Sequence, residues 1–402
     1  MHVFTSITAN YLPKAASLAH SVKRVHPEAV FHVVLSDDMP DCPSSVTGAF
    51  DSIINIRDLP IENLPRFIFR HRIVELCTAV KGAAFQHIAD LHGAERIYYF
   101  DPDIIVTNRL DDLERALDSS SVLLTPHSIE PESNPEAMVD NEITCLRHGV
   151  YNLGFLAVRM DRNGRRLIDW WADRLTRWCY DEVPNGLFTD QRWMDLAPAI
   201  FDGVKILRDP QYNVSTWNLS HRRGTGVAPY DIQINGRPLV FYHFSGFDSG
   251  AQLKMLDRYG SHSPVLYDFR EWYLAECERH GQSTIGKTPC RYTTYKSGEK
   301  IKDEHRLTYR RRDDLLRYFA DPFDDSDPTN SYLHWHRTYV DAPAPQPTPA
   351  PEAEPIAEPT AEPRPAEATA SLRGTIRAHA PEPALRAYRS VKSAWRRMAR
   401  TG

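Results

Sequence analysis

The chain has 402 residues and a mass of 46.0 kDa, enough for one large domain or two modest ones and too much for a disulfide-stapled miniprotein. Hydrophobic residues make up 42% and charged residues 25%; no run approaches the roughly 18 apolar residues of a membrane span, which excludes a polytopic membrane protein. The formal charge of −5 gives no general attraction to nucleic acid. The six cysteines are scattered without a CxxC pair, so neither zinc nor disulfides are suggested. The opening Met1–Thr8 lacks a basic stretch followed by a long apolar one, so no secretory signal is readable and a reducing cytosol is the expected compartment.

In chain order, Val3–Ile7 reads as a strand, Pro13–Val25 as a helix and Phe31–Leu35 as a second strand, a βαβ opening. Phe69–Leu91 reads as one long helical stretch, and Arg96–Phe100 as a buried strand that ends in Asp101-Pro102-Asp103. Further strands are expected at Leu156–Arg159 and Val240–Phe244, with Leu187–Gln191 leading into a helix between them. Trp170, Trp171 and Trp178 lie at helical spacing and are expected in the core. Strands alternating with helices predict a mostly parallel sheet covered on both faces, with ligands at the carboxyl ends of its strands. Residues 251–340 read as a helical extension packed on this domain, with no chemistry assigned to them. From Asp341 to Ala370 the composition is nearly all Pro, Ala, Glu and Thr, with nine of the chain's 30 prolines; this is a disordered linker. Residues 371–402 carry seven Arg and one Lys against Glu382. There Leu385, Tyr388, Val391, Trp395 and Met398 form one helical stripe between basic flanks, which suits an anionic membrane interface. A nucleic-acid arm or a solvated tail is the alternative.

Polar groups sit at the ends of several expected strands. Asp101 and Asp103 are two residues apart across Pro102, which favours an extended chain with both carboxylates on one side, and such a pair suits a hard divalent cation. Taken alone, it equally suits a turn. Asn152 lies in Gly149–Phe155, Asp190-Gln191 follows Thr189, and His243 closes a strand before Ser245-Gly246. The simpler readings are an Asx turn for Asn152, a helix N-cap at Thr189 or Asp190, and a core histidine at 243.

In their order and spacing these four pieces resemble the nucleotide-sugar glycosyltransferases of the A-type fold, most closely glycosyltransferase family 8 and its bacterial relatives, over about residues 1 to 250. The resemblance implies an α/β, Rossmann-like A-type glycosyltransferase fold. It implies that Asp101, Asp103 and His243 hold Mn²⁺ or Mg²⁺ on the donor diphosphate, with a UDP-sugar as the expected donor. Asp190, Gln191 and Asn152 would line the reacting sugar. Thr5, Asn10 and Tyr11 would bind the nucleobase, Lys81 would face the donor, and Gly246 would let backbone N–H groups approach phosphate. Lysine on a solvated helix face and a simple helix-entry loop remain the alternatives for Lys81 and for Asn10-Tyr11.

The chain departs from the family where relatives continue with Lys-Pro-Trp, since Phe247–Lys254 lacks that motif. Lys254, Arg222 or Lys81 is then expected to face the diphosphate. His127, which stands where relatives often carry an acid, is expected to bind sugar or cap a loop. Tyr212, Asn213, Trp217, Asn218 and His221 offer flat faces beside hydrogen-bonding groups and are expected either to contact a sugar ring or to pack in the core. The expected activity is metal-dependent transfer of a sugar to a glycan or lipid-linked acceptor in surface polysaccharide or glycolipid synthesis, with retention if family 8 is the right relative. The expected location is the cytoplasm, peripheral on the inner face of the cell membrane, with no nucleic-acid partner. The rivals are a sugar nucleotidyltransferase, which would need a Gly-rich basic loop after the first strand, and a non-catalytic glycan-binding or scaffold protein of the same fold.

Overall fold

A computed structural model describes residues 1–341; the basic tail and all of the linker beyond Asp341 lie outside the described residues. The strands that build the main sheet and its edge are β1 (His2–Ile7), β2 (Val30–Leu35), β3 (Ser52–Asn55), β4 (Arg96–Phe100), β5 (Ile104–Val106), β6 (Val122–Pro126), β7 (Tyr151–Arg159), β8 (Val204–Ile206) and β9 (Phe241–His243). Helices used below are α1 (Leu12–Val25), α2 (Leu64–Phe69), α3 (Ile73–Ala79), α4 (Lys81–His92), α5 (Asp111–Ser119), α6 (Arg162–Trp178), α7 (Ala251–Tyr259), α8 (Pro264–Arg279), α9 (Asp303–Arg310), α10 (Asp313–Tyr318) and α11 (Tyr332–Tyr339).

Seven strands form one sheet in the order β8-β6-β7-β4-β1-β2-β3. β1, β2, β3 and β4 run parallel, as do β6 and β8, while β7 runs antiparallel to both β4 and β6. The sheet is buried on both faces, which is why strands such as Val3–Ile7 are apolar throughout instead of alternating. Side chains alternate across it: Phe4 and Tyr99 join Phe85 and Trp171 on one face, and Val3 and Tyr98 join Leu18 and Phe31 on the other. Because β7 enters in the opposite sense, its first residues lie beside the carboxyl end of β4, where Phe100 pairs with Phe155.

The single helix expected over Phe69–Leu91 is three helices. Arg72 is extended (φ −63°, ψ 162°), and its N–H donates to Glu75 Oε2 at 2.7 Å, which restarts the chain as α3. At Val80 the backbone turns again (ψ −12°) and α4 begins at Lys81. The carboxylate that caps this break is held by Arg310, 235 residues away, at 2.9 Å, a tertiary partner that local periodicity does not reveal. Trp171 is fully buried, but Trp178 is 45% exposed at the end of α6, where the helix runs past the core. The segment after Gln191 is a short 3₁₀ turn, Arg192–Leu196.

Residues 251–341 carry α7 to α11 with irregular connections between α8 and α9. Tyr292, Tyr295, Tyr309, Phe323 and Tyr332 enter the same buried cluster as Phe69 of α2, and Arg306 donates to the carbonyls of Phe69 and His71 at 2.9 and 2.8 Å. Among the described residues no helix is long and apolar enough to cross a membrane.

Candidate active site

The site forms where β4 ends. Asp101 N–H donates to Gly154 O at 2.8 Å, tying the end of β4 to β7. After the turn over Pro102, β5 pairs antiparallel with β9, and His243 stands opposite Ile104. Phe244 N–H donates to Asp103 O at 2.8 Å. This pairing brings the imidazole to the two acids: His243 Nε2 lies 3.1 Å from Asp103 Oδ1 and 3.7 Å from Asp101 Oδ2.

Asn152 orients that ring. Its Oδ1 accepts from Gly154 N–H at 3.0 Å and from Asn213 Nδ2 at 3.0 Å, and lies 3.2 Å from His243 Nδ1. An oxygen acceptor there places the proton on Nδ1 and leaves Nε2 to face the carboxylates. Gly154 is required by the close approach, because a Cβ on it would sit 2.5 Å from His243 Cε1 and 2.7 Å from Asn152 Oδ1. Burial alone would raise the Asp103 carboxyl, yet His243 holds it below the usual carboxylate value. Burial would likewise lower His243, yet Asp103 holds it above the usual histidine value. Two carboxylates and one oriented imidazole, all with ligand atoms within 4.8 Å of one another, fit a Mn²⁺ or Mg²⁺ ion by donor type.

Lys81 is 2% exposed, so the solvated-helix reading fails. Its Nζ lies 2.8 Å from Asp190 Oδ2 and 3.4 Å from Asp101 Oδ1, donates to Leu153 O at 3.0 Å, and sits 4.0 Å over the Tyr99 ring. It bridges two acids. Tyr99 Oη donates to Asp101. Asp190 caps no helix; Thr189 before it has a positive φ of 43°, and Trp171 Nε1 donates to Asp190 O at 3.1 Å. Gln191 is 8% exposed; its Oε1 accepts from Leu153 N–H at 3.2 Å and its Nε2 donates to His148 O at 3.0 Å.

Trp217 stands edge-on to both His127 and His243, with centroids at 5.1 and 5.3 Å, and its Nε1 has no partner among the described residues. From the Gln211–Arg223 stretch it borders the site beside His243. Asn213 and Asn218 brace Asn152: Asn213 Nδ2 reaches Thr125 Oγ1 and Asn152 Oδ1, and Asn218 Nδ2 reaches Asn213 O. Tyr212 packs in the core with Phe241, and His221 turns to Glu132 at 3.1 Å.

His127 is buried, and its Nδ1 and Nε2 lie 3.2 Å from Val150 O and 3.2 Å from Asn152 Nδ2, a pairing that suits the neutral ring. Burial lowers its pKa from 6.5 to about 4, and lowers that of His32 to about 3. The unfolded chain therefore takes up these protons first, and stability falls as pH drops from about 6.5 to 4, by roughly 3 kcal/mol for His127 alone. Urea titrations at about pH 7.5 and about pH 4.5 are expected to show the loss, with less of it in His127→Gln.

On the opposite side, Tyr11 Oη donates to Asp248 Oδ2 at 2.9 Å and Lys14 Nζ lies 2.5 Å from the same oxygen and 4.4 Å from the Tyr11 ring centre. Lys14 is 2% exposed and helps hold the Asp103 carboxyl down. Sequence reasoning missed Lys14 and Asp248, although a single charge in the apolar run Leu12–Ala16 is a readable signal. Asn10 Oδ1 accepts from Thr8 Oγ1 at 2.7 Å, and Gly246 has a positive φ of 75° in the turn after His243. Thr5 is fully buried with a hydroxyl that has no partner among the described residues. Of the cations expected near a diphosphate, Arg222 is buried, donates to Pro210 O at 2.8 Å, and has its pKa lowered to about 9 by burial. Lys254 is exposed on α7.

No family model matches the chain. Two uncharacterized proteins of Bacillus subtilis (strain 168) are similar to it: YfnF is 24% identical over 245 residues, 60% of this chain and 80% of its own, and YfnD is 22% identical over 250 residues, 61% and 78%. Among solved structures, the galactosyltransferase LgtC in complex with donor and acceptor sugar analogs is 16% identical, with 70% of this chain and 96% of that one covered and a TM-score of 0.44. The glycosyltransferase GlyE of Streptococcus pneumoniae TIGR4 is 15% identical over 73% and 66%, with a TM-score of 0.38.

Proposed function

We propose that the chain is a metal-dependent glycosyltransferase of the A-type fold, which moves a sugar from a nucleotide-diphosphate donor to a glycan or lipid-linked acceptor. The carrying observation is the convergence, at the carboxyl end of β4, of Asp101, Asp103 and an Asn152-oriented His243 with the buried Lys81–Asp190 pair. Asp101, Asp103 and His243 would hold Mn²⁺ or Mg²⁺, which when bound supplies neutralisation of charge on the departing diphosphate. Asp190, held rigid by Lys81, accepts hydrogen bonds from donor-sugar hydroxyls. Gln191 and Asn152, with amides fixed by their neighbours, shape the pocket around the reacting carbon, and Trp217 presents an apolar face to a sugar ring. An oxocarbenium-like transition state in such a site depends on positioning and charge stabilisation.

Tyr11 offers its ring to the nucleobase. Lys14 takes the place of the missing Lys-Pro-Trp lysine, exchanging Asp248 for the diphosphate. Val139 and Leu146, 54% and 69% exposed on the segment that ends at His148 beside Gln191, support an acceptor with an apolar portion. Residues 251–340 act as an extension that braces α2 and α3, and the basic tail as an anchor on an anionic inner membrane face.

The test is thermal stability of the protein with a panel of nucleotide sugars, each with Mn²⁺ or EDTA, since a ligand that binds the native state raises its stability. One donor is expected to raise the melting temperature only with metal, and the effect to vanish in Asp101→Asn/Asp103→Asn. Lys14→Met is expected to weaken that donor roughly tenfold or more by losing a charged hydrogen bond. No shift with any donor in either protein overturns the reading in favour of a non-catalytic binding protein.

A further inference from the structure

Away from this site, α9 and α11 bring two histidines together at the end of the described chain. His305 and His336 are 2% and 0% exposed, with ring centroids 4.5 Å apart. Asp341 closes over them: its N–H donates to His336 O at 3.1 Å, and its Oδ1 lies 3.3 Å from His336 Nδ1. The three side chains offer ligand atoms within 4.8 Å of one another. Neither nitrogen of His336 has a hydrogen-bond partner among the described residues, an unusual state for a fully buried imidazole.

We propose that His305, His336 and Asp341 form a structural Zn²⁺ site that staples α11 and the end of the catalytic unit to α9. Two imidazoles and a carboxylate, with water in the fourth position, are a donor set that zinc takes and shares with Fe²⁺; the tetrahedral spacing favours zinc. Two ligand atoms about 2.0–2.1 Å from a tetrahedral ion lie about 3.3–3.4 Å from each other, the separation seen between His336 Nδ1 and Asp341 Oδ1. That pair is close without making a hydrogen bond, as two ligands of one ion would be. His305 has an outer partner of the kind a zinc histidine uses: its Nδ1 lies 2.9 Å from Tyr295 Oη, a hydroxyl able to accept from Nδ1–H and leave Nε2 for the metal. Tyr332 Oη donates to His305 O at 2.6 Å and fixes the backbone of α9 at this point. The placement of the cysteines suggested no zinc; these ligands are His and Asp, with His336 and Asp341 lying 31 and 36 residues after His305.

The proposal is tested on the full chain in the Asp101→Asn/Asp103→Asn background, so that the catalytic centre does not contribute metal. Elemental analysis after dialysis against Zn²⁺ is expected to find one zinc per chain, and Co²⁺ in its place to give the visible absorption of a tetrahedral site. Chelation is expected to lower the melting temperature. His336→Gln is expected to lose zinc affinity roughly a hundredfold and Asp341→Asn roughly tenfold; the latter, altering a 40% exposed carboxylate, keeps the test valid if the former fails to fold. Absence of zinc and of the cobalt signal in this background, or full zinc retention in both variants, overturns the proposal. Because no glycosyl transfer is measured, the result is independent of the proposed enzymatic activity.

Discussion

Replacing Asp103 by Asn is expected to lower glycosyl transfer roughly a thousandfold while the melting temperature stays within a few degrees of wild type. The substitution keeps shape and removes one negative oxygen from a set of three donors. It also places an amide 3.1 Å from His243 Nε2, where Asp103 Oδ1 now stands; the amide can donate to that nitrogen and so occupies the lone pair a cation would use. Stability is little affected because, once His243 loses the neighbour that holds its pKa up, burial favours the neutral ring, which keeps its contact through Nδ1 with Asn152. Initial rates over a Mn²⁺ series separate the two consequences. A rate recovered at high Mn²⁺ assigns the loss to metal affinity, a rate that stays low assigns it to the transition state, and an unchanged rate at all concentrations sinks the metal-dependent reading.

Much of this site was readable because its chemistry sits at strand ends and the strands announce themselves. Ile97–Phe100 is apolar and is followed by two acids; Val240–Tyr242 is apolar and is followed by a histidine. What the sequence did not carry is which group serves which. Lys81 reads as a helix-face lysine because its partners Asp101 and Asp190 lie 20 and 109 positions away, and only the close packing of α4 on α6 brings them together. Arg222 reads as a free cation because two basic residues follow His221, yet the chain turns it inward onto backbone carbonyls. The helix break at Arg70–Arg72 was illegible for the same reason: Glu75 caps it, and Glu75 is held by Arg310 from the far end of the fold. Asn213 and Asn218 show the converse, since side-chain amides that suit a sugar rim are turned to Asn152, Thr125 and the backbone. Composition identifies polar groups that need partners, whereas the fold decides whether those partners are protein or ligand.

Lys81→Met is expected to destabilise the protein by about 3–5 kcal/mol, the cost of leaving a buried charge without its partner. Lys81 and Asp190 are 2% and 3% exposed, so solvent cannot replace what is lost, and methionine matches the aliphatic stem without the ammonium. Burial by itself would lower the Lys81 pKa, but Asp101 and Asp190 hold it above the ordinary lysine value; burial raises Asp190, and Lys81 is what pulls it back. Without the lysine, Asp190 is driven towards its protonated form at neutral pH, and activity, if retained, shifts its rising limb to higher pH. A double-mutant cycle distinguishes this from simple loss of packing. In Lys81→Met/Asp190→Asn the unpaired charge is gone, so stability is expected to recover well beyond the sum of the two single effects, whereas activity is not, because donor hydroxyls lose their acceptor. Urea titration of the four proteins measures the first quantity and steady-state rates the second. Additivity of the stabilities within about 0.5 kcal/mol would show that the two residues act separately, and the rigid acceptor assigned to Asp190 would then lack its support.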